Sequence, residues 1–205
     1  RIVALTGDLA PATESDLFRD AFPDRFFTAG IAEANMIGVA AGMARCGDIP
    51  FVHSFSVFLT RRAFDQVAMQ VAYPSLNVKL VGFLPGLTTL LGVSHQAIDD
   101  LTLMRVLPNM TVIEPAGASQ TAAVVRAAAK INGPVYLRLH KAREPITNTA
   151  VEKNLEVGKG QLLRDGDDAV IFACGYMVAE ALLGAETLYL SGISVTVARM
   201  HPVQP

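Results

Sequence analysis

A carboxylate, an imidazole and a group of phenylalanines are the side chains of this sequence whose types and positions could do chemistry. Glu33 stands in the first turn of a predicted helix whose following positions, Ile37, Val39, Ala40 and Met43, are small or aliphatic. A glutamate there answers the positive end of the helix dipole, a stabilisation of ~0.3 to 1 kcal/mol. In a water-poor pocket the same carboxylate can accept a hydrogen bond from a ligand or hold a proton, because desolvation favours its neutral form. Residue type alone leaves both readings open. His95 lies in the loop Gly92-Val93-Ser94-His95-Gln96, ahead of a helix predicted from near Ala97. Its imidazole is either solvated or turned on a substrate. Phe55, Phe58 and Phe64 surround the start of another predicted helix, where they serve the core or form a flat stacking surface.

The elements that must position these groups follow from the hydrophobic period. Short β-branched runs alternate with longer stretches of helical period, the pattern of parallel strands joined by crossover helices, so the fold class is α/β. Strands are predicted over 1–6, 25–29, 50–53, 77–82, 110–114 and 134–139, and helices over about 14–22, 31–46, 57–72, 97–106 and 118–130. Thr13 with Asp16 three residues on reads as a capping box, and Gly47 as a C-terminal glycine. From Lys141 to Gly158 the sequence turns polar and loses its period, as a linker does. Beyond it, strands over 168–174 and 193–198 flank a helix over about 177–190, the start of a second α/β layer. In an open parallel sheet, ligands bind beyond the carboxyl ends of the strands. The loops there contain Gly7-Asp8, Gly30 to Glu33, Ser54 to Phe58 and Leu84 to His95. Four loops at one sheet end can converge on one pocket.

Composition narrows the chemistry. With 51% hydrophobic and 18% charged residues, the 205-residue chain can bury a sizeable core, and a net charge of −2 offers no broad attraction to nucleic acid or acidic lipid. Cys46 and Cys174 lie far apart in apolar stretches, which suggests neither a metal site nor a disulfide framework and fits a reducing cytoplasm. Every long apolar run is broken by Gly, Pro or charge, so no membrane span is expected. The chain opens at Arg1 inside one apolar run and stops at Pro205 just after another, as expected of a piece of something longer.

The string from Phe26 to Ala44, FFTAGIAEANMIGVAAGMA, resembles the pyrimidine-domain signature of the transketolase family. Further pieces follow in the family's order: Phe58 to Gln66, Ser94-His95-Gln96, Leu107 to Met110, and Gly133 to Arg138. Gly175 to Val178 and Met200-His201-Pro202 are similar to the opening of the family's C-terminal domain, so the resemblance covers nearly the whole chain. It implies a parallel sheet flanked by helices over 1–143, binding the pyrimidine of thiamine diphosphate. A linker over 144–158 and a partial C-terminal domain over 159–205 would follow.

The resemblance also implies site roles. In this family a glutamate hydrogen-bonds the pyrimidine ring nitrogen and favours the imino tautomer, so that the cofactor's own exocyclic nitrogen can act as base; Glu33 matches it. Phe58 matches the aromatic that stacks on the pyrimidine and Phe64 a second aromatic of that pocket, while Arg61 stands at a cofactor-facing position that is aromatic in some members. Asp8 matches the loop near the thiazolium, and His95 a histidine contacting the substrate near the reacting carbon. Lys141 falls where an arginine holds the sugar phosphate in relatives, with Arg138 and Arg143 as nearby alternatives. Leu84 and Leu91 stand where relatives carry polar substrate contacts, which implies a less hydroxylated substrate or altered catalysis.

Diphosphate binding in this family needs Gly-Asp-Gly and, about thirty residues later, an Asn pair, whose oxygens hold magnesium. Neither occurs here, and Arg164 to Asp168 reads as a turn leading into a strand. The resemblance therefore implies a pyrimidine-binding subunit that acts only with a diphosphate-binding half carrying the metal, either a separate subunit or a removed N-terminal half, in a heterotetramer or paired with itself when alone. The implied reaction is transfer of a two-carbon ketol unit between sugar phosphates. A deoxyxylulose-phosphate-synthase-like half, a 2-oxo acid dehydrogenase β-like half and a non-catalytic regulatory paralogue are the alternatives; the contexts of Ser94-His95-Gln96 and Asn109-Met110 favour transketolase.

Overall fold

The structure is a computed structural model that describes residues 1–87, 89, 91–140, 157–200 and 202–204. Its main sheet is assembled from β1 (Ile2–Thr6), β2 (Phe26–Thr28), β3 (Ile49–Phe55), β4 (Lys79–Phe83), β5 (Thr111–Ile113) and β6 (Val135–Leu139). The strand order is β5-β6-β4-β3-β1-β2. The pairs β1·β2, β1·β3, β3·β4 and β4·β6 are parallel. A strand covered on both faces must be apolar on both, which is why β4 and β6 are nearly continuous buried runs rather than alternating ones. Val3, Leu5, Val52, Leu80, Val81, Val135 and Leu137 make the sheet's share of the core.

Chain order places the ligand end. From β1 the chain steps outward to β2 and then returns to lay β3 on the other side of β1. That reversal opens a crevice beyond the carboxyl ends of β1 and β3, where ligands of open α/β sheets bind. The helices around it are α1 (Asp16–Ala21) and α2 (Glu33–Arg45). Next along the chain, a π-helical segment (Phe58–Arg62) leads to the short α3 (Phe64–Gln66) and a second π-helical segment (Val67–Ala72). α4 (Asp100–Arg105) and α5 (Ala118–Lys130) complete the series. α2 lays Met36, Ile37, Ala40 and Ala41 into the core, and Gly47 leaves its end at a φ of 93°. Lys79, fully buried, donates from Nζ to the carbonyls of Ile131 and Gly133 at 2.7 Å each, which satisfies the turn after α5; burial pulls its pKa down to about 8.

Compactness divides the chain into two units, residues 1–112 with 128–141 and residues 113–127 with 142–205. The second unit contains a three-stranded sheet ordered β7-β9-β8, built from β7 (Gln161–Arg164), β8 (Ala169–Ala173) and β9 (Val195–Arg199). β8 and β9 are parallel with α6 (Met177–Leu190) between them in sequence, and β7 runs antiparallel to β9. Ala185, Val195 and Val197 pack there with Ile171, Leu182 and Leu188. β10 (Pro202–Gln204) ends the described residues.

Three expectations change. The capping box is not formed: Ser15 is the N-cap of α1 and no side chain caps it. Thr13 Oγ1 instead donates to the Leu9 carbonyl at 2.9 Å and pairs with Ser15 Oγ at 3.0 Å, a local bond that competes with capping. α4 starts at Asp100, shorter than predicted, because Ala97 is tied to Gly86 in an isolated antiparallel bridge and the chain bends at 98–99 before the helix begins. The helix predicted over 57–72 is built as two π-helical segments around α3. The predicted linker lies mainly outside the described residues.

Candidate functional site

Glu33 is the first residue of α2 and is 1% exposed. Its carboxylate sits against the carboxyl end of β1: a methyl group added to Gly7 would lie 3.6 Å from Glu33 Oε1 and 3.4 Å from the Gly30 carbonyl. Glycine at position 7 therefore keeps open the space beside the acid. A buried carboxylate needs donors, and here the donor is Arg62, whose Nη1 lies 2.9 Å from Glu33 Oε2. The same guanidinium lies over Phe58, with Cζ 4.1 Å from the ring centroid.

Phe58 belongs to a wall of rings. Its centroid is 5.9 Å from Phe55 and 5.1 Å from His95, and the His95 ring meets it edge-on at 70°. Ser94 Oγ lies 2.9 Å from His95 Nδ1, which leaves Nε2 as the nitrogen available to a ligand. Leu9, Phe83 and Leu84 pack against the Phe55 cluster, so Leu84 serves as apolar wall, whereas Leu91 is exposed. Two positions beside the crevice carry left-handed backbone without being glycine, Asp8 at φ 66° and Leu84 at φ 51°. Such conformations are held only by their surroundings and concentrate at functional sites.

The structure thus brings together Glu33, Phe58 and His95. Asp8 is exposed just beyond β1. Arg61 points elsewhere: its Nε donates to both carboxylate oxygens of Asp99, at 2.8 and 2.9 Å, and Asp99 raises its pKa. Phe64, half-buried in α3, makes no ring contact with Phe58 among the described residues. Lys141 and Arg143 lie outside the described residues. Arg138 is turned onto the buried Asp100, donating from Nε to Oδ2 at 2.8 Å and from Nη2 to Oδ1 at 3.2 Å, while Tyr136 donates to the same carboxylate at 2.8 Å. Burial, and then the Asp100 charge, hold the Tyr136 phenol well above its ordinary pKa. Since a guanidinium only donates, His140 Nε2 accepts the 3.2 Å bond from Arg138 Nη1.

Arg62 and Gly7 carry no assigned role in the sequence reading. The signal for Arg62 was its place four residues after Phe58, which returns to the same helix face. The π-helical turn widens the spacing, so position 62 rather than 61 comes over the ring. Among the described residues, no three His, Cys, Asp or Glu side chains are grouped to hold a metal ion, and no helix is long and apolar enough to cross a membrane.

The chain matches the family description "Transketolase, pyrimidine binding domain" over residues 1–145 and "Transketolase, C-terminal domain" over 158–205. It is 47% identical over its full length to the 6-deoxy-6-sulfo-D-fructose transketolase subunit SqwH of Clostridium sp. (strain MSTE9), covering 64% of that protein. It is 44% identical to a putative transketolase C-terminal section of Methanocaldococcus jannaschii, again over its full length and covering 65% of the relative. Among solved structures, a split gene transketolase described as an inactive β4 tetramer superposes with a TM-score of 0.89 at 46% identity, covering 98% of this chain and 65% of that one. The chain thus spans slightly less than two thirds of the length of these relatives.

Proposed function

Because the chain belongs to the transketolase family, we propose that it is the pyrimidine-binding subunit of a thiamine-diphosphate-dependent enzyme that transfers a two-carbon ketol unit between sugar phosphates. The observation that carries this reading is the buried Glu33 carboxylate beside the face of Phe58. Together they fit a flat ring with an in-plane hydrogen-bonding edge, and the guanidinium that lies between them has those properties.

When bound, thiamine diphosphate supplies a stabilised carbanion that carries the two-carbon unit. The chain's own residues do the rest. Glu33 holds the ring nitrogen of the aminopyrimidine and shares a proton with it; removed from water, that hydrogen bond is stronger than it would be at the surface. Phe58 fixes the plane of the ring, and Phe55, Leu9 and Leu84 keep water from its far side. His95, oriented by Ser94, presents Nε2 to a substrate oxygen. Lys141 is proposed to hold the anionic end of the sugar. Arg138 is committed to Asp100.

The divalent cation and the diphosphate are assigned to a partner subunit, because this sequence lacks the Gly-Asp-Gly and Asn-pair motifs that would hold them. The inactive β4 tetramer named for the solved relative supports a chain that assembles with itself yet needs a partner for turnover. Over the same reading, residues 1–143 form the pyrimidine domain and 159–205 the start of the C-terminal domain.

Glu33→Gln in the assembled complex tests the mechanism. The amide keeps the size but cannot take the proton, so turnover falls by about a hundredfold or more while the circular dichroism spectrum stays unchanged. Full activity in that variant would remove Glu33 from the chemistry. Product analysis with a ketose phosphate, a sulfonated ketose and pyruvate as donors separates transketolase from a deoxyxylulose-phosphate-synthase-like reaction. Cofactor binding with no turnover of any donor favours the regulatory alternative.

A further inference from the structure

Arg62 holds two contacts at once: a donation from its guanidinium to Glu33 and a cation–π contact over the Phe58 ring. These are the two contacts that the proposed function assigns to the aminopyrimidine. A guanidinium and an aminopyrimidine are alike in the properties that matter here, being flat, carrying N–H donors in the plane, and stacking on aromatic faces. One acid and one ring face cannot serve both. We propose that Arg62 closes the pyrimidine position of the cofactor-free chain and that cofactor and Arg62 compete for Glu33 and Phe58, an inference resting on the cofactor reading above.

The energetic logic is that of a buried charge. Glu33 is 1% exposed, and a carboxylate so placed is costly without a partner. Arg62 meets that need before the cofactor arrives, and the cofactor meets it afterwards, so the acid is paired in both states. The Arg62 side chain is 48% exposed, so it can swing to solvent and surrender both its contacts, with Glu33 and with Phe58, to the ligand. Its backbone need not move. The π-helical segment is pinned at its start by Thr60 Oγ1, which donates to the Ser56 carbonyl at 2.7 Å. Arg61 cannot take over the role, because its guanidinium is held on Asp99.

The device makes a forecast that a supporting contact would reverse. When a competent conformation is only a tenth populated, apparent affinity is about tenfold weaker than intrinsic affinity. Arg62→Ala therefore tightens cofactor binding by about tenfold, while the chain without cofactor melts at a lower temperature because Glu33 has lost its partner. Arg62→Lys falls between, since an ammonium can pair with Glu33 but has no flat face for Phe58.

The experiment is calorimetric titration of thiamine diphosphate with magnesium into the complex of the full chain and its diphosphate-binding partner, as wild type, R62A and R62K. Folding is followed by circular dichroism and assembly by sedimentation. Tighter binding by R62A together with a lower melting point of the cofactor-free chain is the expected result. Equal or weaker binding by a folded R62A overturns the proposal and makes Arg62 a bystander or a ligand contact. Should R62A not fold, R62K decides alike: tighter binding than wild type supports competition and unchanged or weaker binding ends it. Absence of binding in every assembled complex, wild type included, overturns the cofactor reading itself, an outcome distinct from binding that ignores Arg62.

Discussion

The buried titratable side chains of this chain divide by whether a charged partner meets them. Glu33 and Asp100 are each 1% exposed, and each is met by a guanidinium. His53 on β3 has no such charge beside it among the described residues: burial draws its pKa down to about 4, opposed by weaker hydrogen bonds to the Leu5 and Phe51 backbone. A histidine whose folded pKa lies below its unfolded value of 6.5 is neutral in the native state while the unfolded chain binds a proton. Its contribution to stability is therefore whole above pH 6.5 and is lost as pH falls from there to about 4, at a slope of up to about 1.4 kcal/mol per pH unit. Urea unfolding at pH 7, 6, 5 and 4.5 should show that decline in the wild type and a shallower one in His53→Gln. Parallel curves for the two proteins would place His53 outside the acid response. Of the site, Glu33 and His95 were marked as candidates by residue type and loop position, because an acid at a helix start and an imidazole in a strand-end loop are local signals, but only the family resemblance gave them roles. The pairing of Glu33 with Arg62 was not, because the two are 29 residues apart and meet only after the sheet forms.

Elements differ in how much of their shape local sequence controls. α5 and α6 occupy the predicted spans, since a helical period rich in alanine in α5 and in alanine and leucine in α6 leaves the backbone little choice. β7 was missed: four residues of mixed polarity carry no period, and the strand exists only because β9 lies beside it. The π-helical segments were invisible for a related reason, since the apolar period over 57–72 fits either turn and only the packing of Leu59, Ala63, Val67 and Val71 into the core selects the wider one. The clearest tie between elements is Asp100, which opens α4 and gathers Tyr136 and Arg138 from β6. Its neighbour Asp99 pairs with Arg61 at a half-exposed surface. Neutralising the buried acid takes the carboxylate charge away from a guanidinium that is only 12% exposed. Asp100→Asn should thus cost roughly 3 kcal/mol in denaturant unfolding, and Asp99→Asn less than about 1 kcal/mol. Equal losses for the two would mean that the buried cluster contributes no more than a surface pair.

At the scale of the whole molecule, the proposed function makes this chain half of a binding site, its pyrimidine side without the diphosphate motif, and half a site binds weakly. The gain from each half adds only when one ligand meets both, because the entropy of fixing the cofactor is then lost once instead of twice. In this chain the difference is widened by Arg62, which already satisfies Glu33 and leaves the pyrimidine alone little to gain by displacing it. Thiamine diphosphate with magnesium should therefore leave the melting temperature of the isolated chain unchanged and raise that of the mixture with the diphosphate-binding partner. Linkage sets the scale: at a hundredfold excess over Kd, a ligand specific to the native complex contributes about 2.7 kcal/mol. Differential scanning calorimetry of each subunit alone and of the mixture, with and without cofactor, measures it directly. A rise confined to the mixture is what a shared site requires. An equal rise for the isolated chain would mean that this polypeptide, against the reading of its motifs, binds the whole cofactor by itself.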